Sequence, residues 1–99
     1  MKLAGLQLPI EKIREVCDRF RVARLSVFGS ALRDSATARD VDLLVEFQSG
    51  VVLSMLEFAR LERELEGVIG RRVDLREPGD LSHLFREQVK LEARLVVAA

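Results

Sequence analysis

The sequence predicts an α/β fold, a small mixed β-sheet of about three strands flanked by helices. Three observations point to it: helical spacing of apolar residues in three segments, strict alternation in three short ones, and the interleaving of the two along the chain. A length of 99 residues matches a single domain over 1–99, because domains commonly hold ~100 to 150 residues around one core.

Pro9 suits the first turn of a helix, and Ile10, Ile13, Val16, Cys17 and Phe20 recur at spacings of three and four, so helix one is expected over 9–19. Leu25 and Val27 alternate with Arg24 and Ser26 as far as Phe28, which marks a strand ended by the turn residues Gly29-Ser30. A polar connector over 31–39 follows, opening with a helical turn at Ala31-Leu32-Arg33. Val41, Leu43, Val45 and Phe47 share one parity, giving a strand over 40–47 with one apolar and one mixed face, on which Leu44 is a candidate exposed position. Met55, Phe58, Leu61, Leu65, Val68 and Ile69 define a second amphipathic helix, stopped by Gly67 to Gly70, with a charged outer side where Arg60 and Glu64 are spaced to pair. Val73 and Leu75 alternate with Arg72, Asp74 and Arg76 in a third strand closed by Pro78-Gly79. Asp80 is then expected to cap a last helix with the stripe Leu81, Leu84, Phe85, Gln88, Leu91 and Leu95, the tail at 96–99 extending it or packing elsewhere.

Composition excludes several functions. Lysine plus arginine equals aspartate plus glutamate, 16 against 16, so no net field draws the chain to nucleic acid or an anionic bilayer. Tryptophan and tyrosine are absent, which removes the usual stacking platforms for single strands. Cys17 is the only cysteine and falls on an apolar stripe, so it is expected as a buried hydrophobe. The first residues carry no secretory leader pattern, and the expected location is cytoplasmic. The single histidine, His83, has no histidine or cysteine partner in the chain that would favour metal ligation.

The chemistry is expected at three aspartates. Asp40 and Asp42 lie two apart on a strand, so their side chains leave one face with stems ~7 Å apart. Two such carboxylates repel and need a cation, either a divalent metal or arginines, of which Arg33, Arg39, Arg72 and Arg76 are available. Hard oxygen donors favour Mg²⁺, which commonly takes one or two carboxylates and completes its shell with water and phosphate oxygens. Asp74 has the parity opposite to Val73 and Leu75, so it joins the pair if the strands are neighbours, and three carboxylates suffice for two metals and in-line phosphoryl chemistry. Asp74 is then the candidate proton acceptor. Gly29 and Ser30 lie where backbone N–H groups can approach phosphate, with Arg33 as countercharge.

Val27-Phe28-Gly29-Ser30-Ala31-Leu32-Arg33, then Asp40-Val41-Asp42-Leu43-Leu44-Val45-Glu46-Phe47, resembles the signature of the minimal nucleotidyltransferases in the DNA polymerase beta-like superfamily. Arg71-Arg72-Val73-Asp74-Leu75 resembles the segment bearing that family's third carboxylate. The resemblance implies Mg²⁺- and ATP-dependent transfer of AMP to an acceptor hydroxyl. It also implies an antitoxin whose partner is a small all-helical HEPN toxin, with a toxin tyrosine as acceptor, and it leaves a homo- or hetero-oligomer open. The stretch from Ser30 to Asp40 is one residue shorter than the family pattern, and Arg39 stands where a small polar residue usually precedes the first aspartate. These departures define the alternative, a degenerate domain that neutralises a HEPN partner by binding alone.

Overall fold

The computed structural model describes residues 1–3, 5–34 and 39–99, so positions 35–38 of the expected connector lie outside the described residues. In order, the elements are β1 (Lys2–Leu3), β2 (Leu6–Gln7), α1 (Ile10–Arg19), β3 (Val22–Phe28), α2 (Ser30–Arg33), β4 (Asp40–Phe47), α3 (Met55–Ile69), β5 (Arg72–Arg76), a 3₁₀ turn (Pro78–Asp80), α4 (His83–Glu92) and β6 (Arg94–Ala98). The main sheet runs β5-β4-β3-β6. β4 is antiparallel to β3 and parallel to β5, and β6 closes antiparallel on β3. The mixed sheet expected from the sequence is present, with four strands among the described residues rather than about three.

Strand alternation sorts the sheet into two faces. Leu25, Val27, Val41, Leu43, Val45, Val73 and Leu75 are buried in one cluster with Ile13, Val16 and Cys17 of α1 and Leu61 and Leu65 of α3. Burial pushes the Cys17 thiol up to about 11, which suits a packing role. The other face carries a smaller cluster of Phe28, Leu44, Leu81 and Val89 beneath α4. Leu44 is therefore covered, contrary to the exposed position its parity suggested, because α4 lies on the mixed face of β4.

α3 is bounded by strong local signals. Ser54 and Glu57 form a capping box, each side chain accepting the other's backbone N–H at 3.1 Å. Gly70 ends the helix in the left-handed region at φ +79°, which a residue with a Cβ adopts only with strain. Glu64 pairs with Arg19 of α1 rather than with Arg60. Glu66 and Glu62 accept the outward N–H groups of Val73 (3.0 Å) and Leu75 (2.9 Å), so the β5 edge is satisfied by side chains instead of a further strand.

At the N-terminus β1 and β2 pair antiparallel, each too short to leave a periodicity in the sequence, and the expectations for the last helix and the tail are corrected. Asp80 does not cap the last helix: its carboxylate accepts the Glu77 N–H (3.3 Å) inside the 3₁₀ turn, and after extended Leu81 the cap of α4 is Ser82, which accepts the Phe85 N–H at 3.4 Å. Of the expected core stripe Leu81, ahead of the helix, is buried, whereas Leu84 at 81% and Leu91 at 88% exposed face outward and Val89 is buried instead. α4 stops at Glu92 because the open edge of β3 takes the β-branched tail as β6, which carries Leu95 away from the helix.

This orientation gives a contrast measurable by denaturant unfolding. Leu84→Ser and Leu91→Ser should each change stability by less than about 0.5 kcal/mol. Leu43→Ala and Leu65→Ala, in the main core, should each cost about 2 to 5 kcal/mol.

Candidate functional site

The parallel register of β4 and β5 sets Asp42 directly beside Asp74, and Asp40 beside Arg72. Alternation puts Asp40, Asp42 and Asp74 on the face that α4 partly covers, and Phe28 of β3 stands across from Asp42. Immediately after Phe28, Gly29 turns the chain into α2 at φ +77°. A Cβ at Gly29 would lie 2.3 Å from Asp42 Oδ2, so only glycine lets the loop close down on this carboxylate.

A cleft of about 390 Å³ opens where the cover of α4 ends, lined by Phe28, Asp42, Asp74, Arg76, Ser82 and Phe85 together with Asp80 and Leu81. Burial, then the charges of Asp74 and Asp40, raise the Asp42 carboxyl above the usual aspartate range, against a smaller opposing pull from Arg76 and Arg33. Asp74 is held by Arg76, with Nε 2.9 Å from Oδ1 and Nη2 3.3 Å from Oδ2. Asp40 sits 3.9 Å from Arg72 Nε in an exposed pair.

The structure thus brings together Asp40, Asp42, Asp74 and Gly29, with Arg33, the last residue of α2, near enough for its charge to reach Asp42. Ser30 opens α2 and is exposed; Arg39 is exposed beside Asp40; His83 is exposed at the start of α4. Among the described residues no group of three or more His, Cys, Asp or Glu side chains is arranged as a metal site, since Asp40 and Asp74 are each turned to an arginine. A larger cavity of about 610 Å³ lies near the other end of the sheet, among Arg19, Arg21, Arg60, Glu57 and Glu64. Its carboxylates are engaged, Glu57 in the capping box and Glu64 with Arg19, whereas the smaller cleft holds Asp42, whose charge is disfavoured by burial and by two neighbouring carboxylates, and so has the better claim to chemistry.

In the sequence Arg76 stands out only as a countercharge, and Phe28, Ser82 and Phe85 do not stand out as lining residues. The parity shared by Asp74 and Arg76 was a usable signal. Ser82 and Phe85 carried none, because they reach the cleft only through the placement of α4.

Known proteins share this fold. Residues 10–96 match the family model described as nucleotidyltransferase domain. The chain is 44% identical over 63 residues to protein adenylyltransferase MntA of Thermococcus cleftensis, a match spanning 63% of this chain and 62% of that protein. It is 36% identical over 83 residues to a candidate protein adenylyltransferase of Methanocaldococcus jannaschii, spanning 83% of this chain and 87% of that one. A solved structure of a candidate minimal nucleotidyltransferase superposes with TM-score 0.72 at 40% identity, covering 95% of each chain. A structure of tri-AMPylated Shewanella oneidensis HEPN toxin in complex with MNT antitoxin shares the fold, with TM-score 0.65 at 17% identity, covering 91% of this chain and 70% of that one. The chain is a member of the nucleotidyltransferase domain family, homologous to the MntA protein adenylyltransferases.

Proposed function

We propose that this chain transfers AMP from ATP to a hydroxyl of a partner protein, a tyrosine of a HEPN-type toxin, and thereby acts as its antitoxin. The observation that carries the reading is the side-by-side placement of Asp42 and Asp74, with Asp40 one pleat away and Gly29 closed onto Asp42. The chain's adenylyltransferase relatives support the reaction class, and the AMPylated HEPN toxin bound to an antitoxin of like fold supports the partner.

The donor set fits a divalent cation such as Mg²⁺. All three groups are hard oxygen ligands, and the charge of Asp42 is disfavoured by burial and then by Asp74 and Asp40, which a bound cation would offset. Asp40, Asp42 and Asp74 would hold it, and a bound cation supplies charge neutralisation at the phosphates and a more acidic acceptor hydroxyl. The remaining work falls to the chain. Gly29 and Ser30 admit the triphosphate at close range, and Arg33 adds positive charge beside it. The acceptor oxygen attacks the α-phosphorus, the bond from that phosphorus to the pyrophosphate oxygen breaks, and pyrophosphate leaves. The hydroxyl proton passes to a carboxylate oxygen of Asp74.

A second reading, neutralisation by binding alone, is favoured by the pairing of Asp40 with Arg72 and of Asp74 with Arg76, which satisfies two of the three carboxylates without metal. Label transfer from α-labelled ATP to the purified partner separates the two. Transfer by wild type that Asp42→Asn abolishes upholds the enzyme; its absence from wild type, with the partner still bound and neutralised, upholds the binder.

Asp42→Asn should also raise the melting temperature in metal-free buffer. The folded-state pKa of Asp42 is raised, so its contribution to stability is fully present below the unfolded-state pKa of ~3.9 and is lost as pH rises through the folded value. The advantage of Asn over Asp should therefore appear above that range and persist at neutral pH, as melting curves at pH 4 and pH 7 would show.

Gly29→Ala should lower transfer by about tenfold or more, because the left-handed backbone and the Asp42 carboxylate both resist a Cβ there. Ser30→Ala, on the exposed first turn of α2, should cost less. Initial rates for the two variants, with circular dichroism as the folding control, measure this difference.

A further inference from the structure

Arg76 and Asp74 sit two apart on β5 and share its carboxylate-bearing face. The guanidinium takes both oxygens of Asp74, and the charges of Asp42 and Asp80 also act on it, so it is the cation at the centre of the cleft's acidic groups. Both side chains are partly open to solvent, 47% for Arg76 and 39% for Asp74. Ion pairs with that much water around them are weak and easily remade.

A guanidinium on both oxygens of Asp74 neutralises the carboxylate and occupies one lone pair on each, so it opposes a divalent cation there and weakens Asp74 as a proton acceptor. Loading the site therefore favours the departure of Arg76, and a cation leaving one anion needs another within reach. A nucleoside triphosphate delivers its phosphate oxygens into this cleft, and the planar guanidinium fork matches two phosphate oxygens as well as it matches a carboxylate. We propose that Arg76 is an exchanging countercation: it occupies Asp74 in the metal-free protein and transfers to the phosphate chain of the nucleoside triphosphate when a divalent cation takes Asp74. This rests on the nucleotidyltransferase reading above and adds to it a positioning residue that suppresses metal binding in the absence of nucleotide.

The exchange has two signatures of opposite sign, read without turnover. Mn²⁺ binding to the full chain is followed by electron paramagnetic resonance without nucleotide, and ATP binding by calorimetry in Mn²⁺, for wild type, Arg76→Gln and Arg76→Lys. Arg76→Gln should bind Mn²⁺ alone more tightly and ATP about tenfold more weakly, as expected when one charge-assisted contact to phosphate is lost. Arg76→Lys should fall between, because it keeps the charge and loses the fork. A purely structural role would weaken both ligands together. Wild type that binds Mn²⁺ and ATP, with Arg76→Gln and Arg76→Lys either indistinguishable from it or weaker for both ligands, overturns the exchange and leaves the proposed function standing. Wild type that binds neither ligand overturns the proposed function and the exchange with it.

Discussion

The parallel pairing of β4 with β5 is the constraint on which the rest of this structure depends. It alone sets Asp42 beside Asp74, since the two residues are far apart in the chain and neither strand dictates the other's register. A slip of one residue would turn Asp74 into the core and Val73 or Leu75 toward solvent. The register is held from the apolar side, where Val41, Leu43, Val73 and Leu75 share a core with Leu61 and Leu65 of α3. It is held again at the edge, where Glu62 and Glu66 of the same helix accept the free N–H groups of β5. Parallel strands need a crossover, and α3 is that crossover, so one helix connects the strands, buries their apolar face and ties down their edge.

Electrostatic tension at the site follows from that order. Hydrophobic burial on one face forces three carboxylates together on the other, at the expense of Asp42, whose charged form is disfavoured by burial and by both neighbours. The protein meets part of this tension locally, with Arg72 at Asp40 and Arg76 at Asp74. At Asp42 the charges of Arg76 and Arg33 oppose the effect of burial and of the two neighbouring carboxylates without cancelling it. Local instability of this kind is common where side chains are arranged for a ligand, and the packing elsewhere sustains it.

Two faces of unlike character frame the cleft. One is a deep core sealed by α1 and α3; the other is a small cluster of Phe28, Leu44, Leu81 and Val89 under α4. Arg86 anchors that second layer, donating to the carbonyls of Pro78 (2.8 Å) and Leu81 (3.1 Å) and so fixing the 3₁₀ turn against the start of α4. Because α4 covers only part of the sheet, Phe85 and Ser82 end up at the margin of the carboxylate cleft.

The sequence by itself determined α1, β3, β4, α3 and β5, because each has apolar residues at a clean period of 3.6 or 2, and all but α1 end in a recognisable breaker, Gly29, Gly50, Gly70 or Pro78. It also placed Asp40 and Asp42 on one face by parity, with Asp74 joining them once β4 and β5 pair, and put Gly29 at the turn before them. What only the tertiary structure decided depends on which surfaces meet. The stripe Leu84, Gln88, Leu91 has helical spacing, yet the face that found a partner is that of Val89, because the sheet offered Phe28 and Leu44 at that side. The tail at 94–98 was apolar enough for a helix and became β6 because β3 had an unpaired edge, a need no local pattern records. The pairing of Arg76 with Asp74 and the close approach of Gly29 to Asp42 were decided in the same way, since contact distances follow from how strands and loops pack in three dimensions.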